Sequence, residues 1–347
     1  MSTTTAPSGS SEPTTAAEEF ELRQRSPLQR LQHLLHTHPT ISPLLVLVVA
    51  VIAFGFANER FWEPTNLSLI LQQVAIVGTL AIGQTLIILT AGIDLSVGAI
   101  MILAALVTGK LASEQGVPGP LALLVGIAIG LAAGFLNGFL VTAVRLPPFI
   151  VTLGTLSIFT ALALLYSDGQ SITSGFGDFL LWTGESIELG GFRITYGVLL
   201  MLALYGVFSF ALSQTAWGRH VYAVGDDTDA ARLAGIRVNR VLLSVYTVAG
   251  LVYAVTAWIL IGRIGAASPN AAADANLDSI TAVVIGGTSL FGGRGVLVGT
   301  LLGALIVGVF RNGLSLAGVD VLYQTLVVGI LVIVAVSIDQ WIRRVKA

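Results

Sequence analysis

The sequence contains no cysteine, which excludes disulfide bonds, thiolate catalysis and cysteine-ligated metal centres. Charge is scarce as well: Asp, Glu, Lys and Arg make up 10% of the 347 residues, against about 25% in soluble domains. The net charge is only −2, so the concentrated basic face typical of nucleic-acid binding is not indicated. No G-x-x-x-x-G-K-[S/T] motif occurs, so no P-loop is predicted to bind nucleotide phosphates.

Hydrophobic residues are abundant instead. They make up 55% of the chain, and the mean hydropathy is +0.89. The 39 glycines agree with this composition, because glycine is frequent in membrane helices, where it allows close backbone approach. The composition therefore predicts an all-α polytopic membrane protein.

Apolar segments of the length needed to cross a bilayer, about 20 residues, recur along the chain. The candidate spans are 41–57, 67–89, 95–112, 121–142, 149–166, 195–213, 241–262, 297–316 and 321–339. A further segment, 279–291, is short for a full span and is typical of a half-helix or a re-entrant segment. The sequence thus predicts about ten transmembrane helices, with eight as the alternative.

Basic residues near both ends predict the orientation. They are Arg23, Arg25 and Arg30 before the first span, and Arg343, Arg344 and Lys346 after the last. The positive-inside rule places both termini in the cytoplasm, so the number of crossings is even. With ten crossings, the basic loop 214–240 is cytoplasmic, and the acidic loop 167–194, with aromatic residues Phe176, Phe179 and Trp182, is extracytoplasmic.

The N-terminal region precedes the spans. Residues 1–25 are predicted to form a disordered cytoplasmic tail, because they are rich in polar residues. Residues 26–38 place leucines on one helical face and are predicted to form an interfacial amphipathic helix. His33, His36 and His38 have no accompanying carboxylate, so a polar face with a linker is favoured over a metal site.

Two segments contain a glycine at every fourth residue. These glycines are Gly126, Gly130, Gly134 and Gly138, and then Gly295, Gly299 and Gly303. Such spacing forms a ridge of small residues along one side of a helix. We expect both ridges to serve close helix packing rather than substrate binding.

The stretch LTAGIDLSVG, residues 89–98, carries one charged residue, Asp94, within a long apolar region. A carboxylate at the centre of a lipid-facing helix costs about 2.5–3.5 kcal/mol, so Asp94 requires another environment. Asp94 is predicted to cap the next helix near residues 95–97, at a cytoplasmic turn between two spans. The residues predicted to form this structural hinge are Gly92, Asp94, Ser96 and Gly98. A substrate ligand and a proton relay are the alternatives.

The loop 214–240 is long and polar. Thr228 or Asp229 is predicted to cap a short helix that runs to Leu233, and Gly235 is predicted to end it. We expect this helix to bind a soluble partner; the alternative is an ordinary solvated connection.

The residues of this helix resemble a known family motif. Asp229-Ala230-Ala231, then three residues, then Gly235, resembles the EAA loop of ATP-binding-cassette (ABC) importer permeases. Aspartate replaces the usual glutamate and the Ile-x-Leu-Pro tail is absent, a variant shown by the ribose/xylose-type monosaccharide permeases. Four further segments resemble this branch: GQTLIILTAGIDLSVG (83–98), LPPFIVTLGT (146–155), GRHVYAVGDDTDAARLAGI (218–236) and VIGGTSLFGGRGVLVGTLLGA (284–304). The resemblance covers residues 41–340, the predicted transmembrane permease domain.

The resemblance implies a permease subunit in the bacterial inner membrane that pairs with a second copy to form the transport path. A separate cytoplasmic ATPase would bind ATP and Mg, and an extracytoplasmic protein would deliver the sugar. The chain itself would then be no enzyme and would hold no cofactor. The residues implied to couple to the ATPase are Asp229, Ala230, Ala231, Arg232 and Gly235.

Polar residues within the spans are the candidates for lining a sugar path, because sugars are recognised by hydrogen-bonding side chains inside mostly apolar walls. The candidates are Gln84, Thr85, Asn137, Gln73 and Asn312, with Gln72, Thr152 and Thr155 as further ones. Each has the alternative of an interhelical hydrogen bond. Arg311 is expected to reach the outer interface or to pair with Asp320.

Other functions remain open from the sequence. An ABC permease for a nucleoside or another small polar solute would share the same architecture. An ion-coupled secondary carrier would need protonatable residues within its spans, and Asp94 is almost the only candidate. A channel would leave the 214–240 loop without a role, and an intramembrane enzyme would need a catalytic motif that the sequence does not show.

Overall fold

The computed structural model describes residues 40–271 and 274–344. The predicted tail 1–25 and the predicted amphipathic helix 26–38, with its histidines, lie outside the described residues. The described part is mostly helical. Its first half contains α1 (Ile41–Ala57), α2 (Pro64–Leu89), α3 (Val97–Ser113), α4 (Gly119–Thr142) and α5 (Pro148–Ser167), with a 3-10 turn (Glu59–Trp62) before α2.

The 167–194 connection contains short elements. They are α6 (Gly177–Leu181), a 3-10 turn (Trp182–Gly184) and the strands β1 (Ser186–Leu189) and β2 (Phe192–Thr195). The rest of the chain forms α7 (Tyr196–Gln214), α8 (Ala216–Asp226), α9 (Thr228–Leu233), α10 (Val238–Ile264), α11 (Ala275–Ile285), α12 (Leu297–Leu316) and α13 (Val321–Arg344).

Six helices in the described part are long and apolar enough to cross a bilayer: α2, α4, α5, α7, α10 and α12. Shorter apolar helices are α1, α3, α11 and the Val321–Leu331 part of α13. These ten elements coincide with the apolar segments of the sequence, and α11, at about 16 Å, has the length of a half-helix. The structure therefore supports a polytopic membrane protein, whereas the number of crossings and the side on which the termini lie stay predictions.

Proline marks the beginning of three spans. It occupies the first turn of α2, α4 and α5, where its missing N–H is not needed for a helical hydrogen bond. The sequence-based boundaries of these helices consequently lie within three residues of the observed ones.

The glycine ridge of α4 packs against α10 in the centre of the bundle. A methyl group added at Gly130 would collide with the backbone of Gly250, and one at Gly134 with the backbone of Tyr246. The second ridge packs α12 against α11, since Gly299 and Gly303 face the backbone of α11 and the turn after it. The prediction that both ridges serve close packing is confirmed.

The expectation of an all-α fold is wrong in the 167–194 connection, where β1 and β2 form an antiparallel hairpin. Glu188 lies opposite Arg193, and their side chains form an ion pair at 2.7 Å. Gly190 and Gly191 have φ of 59° and 88°, as a tight two-residue hairpin turn requires. The signal was present in the sequence, since apolar and polar residues alternate on both sides of the Gly-Gly pair.

The aromatic residues of this connection pack on α10. Phe179 and Trp182 stack on Trp258, with ring centroids 5.1 and 5.7 Å apart, and Phe176 is buried. The hairpin and its preceding turn are thereby fixed to the bundle, with Phe179 and Trp182 still partly exposed.

Candidate functional site

α9 projects from the bundle in the 214–240 loop. The side chain that caps it is Asp227, whose Oδ1 accepts hydrogen bonds from the amides of Asp229 and Ala230, both at 2.9 Å. The expectation that Thr228 or Asp229 would be the cap is therefore wrong by one or two residues. The Thr228 hydroxyl is engaged elsewhere, because it donates to a carbonyl of α8.

One side of α9 is attached to the bundle and the other is free. Ala231 is buried, whereas Asp229 and Arg232 form an exposed ion pair at 3.1 Å. Leu233 is 90% exposed. Gly235 ends the helix with a φ of +84°, and no atom of the described residues lies within 4 Å of its side-chain position. The outer side of α9 is therefore accessible, and Leu233 on it was not among the predicted coupling residues.

α8 connects α9 to the interior of the bundle. The Tyr222 hydroxyl donates to the carbonyl of Gly295 at 2.7 Å, and burial raises the pKa of this hydroxyl above its ordinary value. The amide of Gly293 donates to the carbonyl of Leu89 at 3.0 Å, and Gly225 lies directly against Leu89. The turn after α2, the turn before α12 and α8 thus form one contact region, which we call the α8 junction (Leu89, Tyr222, Gly225, Gly293 and Gly295).

Asp94 lies beyond this junction, in the interior of the bundle. It is 1% exposed, and its Oδ1 accepts hydrogen bonds from the amide and the hydroxyl of Ser96, at 2.7 and 2.6 Å. Ser96, and not Asp94, occupies the N-cap position of α3, and its side chain makes no capping hydrogen bond, so the prediction that Asp94 caps this helix is wrong. Asp94 holds Ser96 at that position instead.

Three helices hold the segment that contains Asp94. Gln84 of α2 donates to the Asp94 carbonyl at 3.1 Å, and Asn137 of α4 donates to the Ser96 hydroxyl at 2.9 Å. Thr152 of α5 donates to the carbonyl of the residue before Asp94 at 3.0 Å. Residues 93–96 therefore turn back among the helices, with Asp94 and Ser96 buried, and the cytoplasmic position of this turn stays a prediction.

The predicted hinge glycines contact the same region. A methyl group at Gly92 would lie 2.9 Å from the Tyr246 hydroxyl of α10. The amide of Gly98, in the first turn of α3, donates to Asn276 Oδ1 of α11 at 2.6 Å. The structure thus brings all four predicted hinge residues into one packed segment, and motion there stays a prediction.

The predicted path residues are engaged in contacts between helices. Thr85 of α2 and Thr300 of α12 share a hydrogen bond of 2.8 Å. Asn312 and Asn66 exchange two hydrogen bonds, at 2.8 and 3.0 Å. Gln73 is half-buried on α2. These bonds correspond to the packing alternative, and a path role for any of them stays a prediction.

Gln84 and Asn137 each retain an unused acceptor. Gln84 Oε1 and Asn137 Oδ1 are buried with no hydrogen-bond partner in the part of the chain that the structure describes. An unpaired buried polar atom costs about 1–3 kcal/mol, so these two amides keep the capacity to bind a polar group.

The expectation that Arg311 pairs with Asp320 is wrong. Arg311 Nη2 contacts Asp278 at 2.7 Å and Asp274 at 3.4 Å, because α11 packs beside α12 and presents both carboxylates to it. Asp320 instead accepts a hydrogen bond from the amide of Leu322. The ion pairs fix the α11 terminus to α12.

Comparison with known proteins relates this whole domain to one family. Residues 66–336 match the family described as the branched-chain amino acid transport system / permease component. No solved structure matches the chain.

Individual proteins match over nearly their full length. The chain is 50% identical to the fructose import permease protein FrcC of Rhizobium meliloti, over 96% of this chain and 94% of that protein. It is 43% identical to the ribose import permease protein RbsC of Bacillus subtilis, over 86% and 92%. It is 34% identical to the D-allose transport system permease protein AlsC of Escherichia coli, over 86% and 91%.

Proposed function

This chain belongs to the family of transport-system permease components, and from that membership we propose that it forms the membrane path of an ATP-driven importer for a monosaccharide. The observation that carries the proposal is the similarity, at 50% identity over 96% of the chain, to a protein that imports fructose. The ribose and D-allose permeases among its relatives support the same class of solute. The protein is a multi-pass protein of the bacterial inner membrane.

The geometry of α9 supports a separate source of energy. The helix is attached to the bundle on its buried side and presents Asp229, Arg232 and Leu233 outwards. A cytoplasmic ATPase that holds ATP and Mg would dock on this side, with Gly235 shaping the end of the helix. A second permease copy and an extracytoplasmic sugar-binding protein complete the proposed importer.

Uptake measurements test the proposal. The permease would be reconstituted in proteoliposomes with its cognate ATPase and binding protein, and uptake of labelled D-fructose, D-ribose and D-allose would be compared. We expect uptake of at least one sugar with ATP and none with a non-hydrolysable ATP analogue. Uptake driven by a proton gradient without ATP would contradict the importer and favour an ion-coupled carrier.

The class of solute needs a separate test, because the family description refers to amino acids. Calorimetric titration of the cognate binding protein with monosaccharides, a nucleoside and a branched-chain amino acid separates these classes. Tight binding of a monosaccharide alone is the expected result. Binding of a nucleoside or an amino acid in its place would reassign the solute.

A further inference from the structure

A groove opens on the surface of the bundle beside the middle of α5. It encloses about 230 Å³, below the roughly 300–1,000 Å³ typical of sites for drug-sized ligands. Its walls are the first turns of α3, the central part of α5, and Pro269, Asn270 and Asn276. The lining residues used below are Gly98, Leu156, Thr160, Asn270 and Asn276.

Polar groups in this groove have unused hydrogen-bonding capacity. Asn276 Oδ1 holds the amide of Gly98, which orients the side chain, while its amide nitrogen has no partner among residues 40–271 and 274–344. The Thr160 hydroxyl and the Asn270 side-chain amide are likewise without a hydrogen bond to any described residue. Two amides and one hydroxyl therefore converge on a space lined otherwise by apolar side chains.

α5 has two different exposed sides. Thr160 lines the groove together with Leu156 and Leu164. Ile158, Leu162 and Leu165 lie on the other exposed side. Hydrocarbon cannot satisfy a hydroxyl group that lacks a partner, so the side with Ile158, Leu162 and Leu165 suits lipid and the side with Thr160 suits an aqueous path.

We propose that this groove is a contact site for the sugar in transit, in which Thr160, Asn270 and Asn276 donate and accept hydrogen bonds with sugar hydroxyls. The inference rests on the proposed importer, in which a path between two permease copies would run along the surface of each. The apolar wall, with Leu156, contacts the carbon skeleton of the sugar. Asn276 also ties the groove to α3, and through α3 to Ser96 and Asp94.

The absence of cysteine makes the groove directly testable. Thr160→Cys and, as matched control, Ile158→Cys are labelled in the reconstituted importer with the water-soluble reagent 2-sulfonatoethyl methanethiosulfonate. The thiolate is the reacting species and forms poorly in apolar surroundings, so we expect Thr160→Cys to react at least about tenfold faster than the control. Whichever of D-fructose, D-ribose and D-allose the reconstituted importer takes up, supplied by its loaded binding protein during ATP hydrolysis, should slow the labelling.

Two results would overturn the assignment. One is labelling of Thr160→Cys no faster than that of Ile158→Cys, as expected if lipid covers the groove. The other is fast labelling that the transported sugar does not slow, as expected of a water-filled crevice without sugar contact. In both cases ATP-dependent uptake by the parent chain is measured in parallel. This measurement distinguishes a wrong assignment of the groove from a wrong assignment of the protein as an importer.

A second pair of variants measures the contribution of the hydroxyl. Thr160→Val removes it at constant shape and should lower the apparent affinity for the sugar about threefold to tenfold, the effect of one neutral hydrogen bond, whereas Thr160→Ser should stay near the parent chain. Thr247→Val is the control, because the Thr247 hydroxyl bonds within α10, outside the groove. Equal uptake kinetics for Thr160→Val and the parent chain would overturn the proposed contact.

Discussion

Asp94 illustrates how a single carboxylate can be accommodated in an apolar bundle. Its Oδ1 accepts two hydrogen bonds from Ser96, and its carbonyl accepts one from Gln84. These bonds satisfy the N-cap region of α3 in the interior, where water cannot replace them. We therefore expect the side chain to have a structural role, which needs an acceptor oxygen and no proton transfer.

This role predicts that Asp94→Asn is tolerated better than Asp94→Leu. The amide oxygen of Asn can still accept from Ser96, whereas Leu leaves the buried amide of Ser96 without an acceptor, at about 1–3 kcal/mol, and the Ser96 hydroxyl keeps only the bond that it accepts from Asn137. Thermal unfolding of the purified permease and sugar uptake should both fall more for Leu than for Asn. An equal loss of uptake in the two variants, with stability unchanged, would assign a function to the charge itself.

The backbone conformation of Gly235 leads to a prediction about substitutions at the end of α9. Its φ of +84° lies in the left-handed region, and no atom in the described part of the chain lies within 4 Å of the side-chain position. Gly235→Val should therefore strain the end of α9 by about 1–3 kcal/mol, while Gly235→Asn, a residue that adopts this region more readily, should be mild. Uptake per ATP hydrolysed is the measurement, and membrane insertion should be unaffected. Indistinguishable coupling in the two variants would show that the helix end does not control it.

At the scale of an element, α9 combines a fixed side and a free side in six residues. The Asp229–Arg232 pair is exposed, and such pairs contribute little to stability, about 0.3–0.5 kcal/mol within a helix. We therefore expect the ion pair, together with the exposed Leu233, to contribute to binding of the ATPase.

Exchanging the two charges of this ion pair distinguishes a role in helix stability from a role in binding the ATPase. Asp229→Arg combined with Arg232→Asp keeps opposite charges three residues apart and should preserve the helix, yet it presents reversed charges to the ATPase. We expect the double variant to lose binding of the ATPase by at least about tenfold, measured by co-purification and titration, with unchanged thermal unfolding. Leu233→Ala should weaken binding as well. ATPase binding at the parental level in both variants would remove α9 from the interface.

Elements whose limits are set locally were predictable from the sequence. Proline in the first turns of α2, α4 and α5 and the apolar runs that follow determine those helices. The glycine ridges determine the contacts of α4 with α10 and of α12 with α11. The cap of α9 was misplaced because Asp227, Thr228 and Asp229 can all cap, and only the bond from Thr228 to α8 decides among them. The hairpin was missed because its strands are four residues each within a loop assigned by polarity.

At the scale of the whole molecule, the interactions that matter join residues distant in the sequence, which no local pattern reveals. Arg311 pairs with Asp278 rather than with the nearer Asp320 because α11 and α12 are neighbours. Thr160, Asn270 and Asn276 likewise belong to one groove only once α3 and α5 have packed. The same packing links the α8 junction to the segment around Asp94. Leu89, the last residue of α2, contacts α8, and residues 93–96 follow it a few positions later in the sequence.

We expect the α8 junction to transmit docking of the ATPase at α9 to the interior of the bundle. Tyr222→Phe removes the 2.7 Å hydrogen bond to Gly295 and leaves the ring in place, so the junction should loosen without unfolding. We expect the assembled importer to hydrolyse ATP within about twofold of the parent rate while uptake per ATP falls by about threefold or more, because one buried hydrogen bond contributes about 1 kcal/mol. Tyr323→Phe, at an exposed tyrosine of α13, is the control and should change neither. If Tyr222→Phe lowers hydrolysis and uptake in the same proportion, its hydroxyl supports docking or stability instead, and the junction does not transmit the motion.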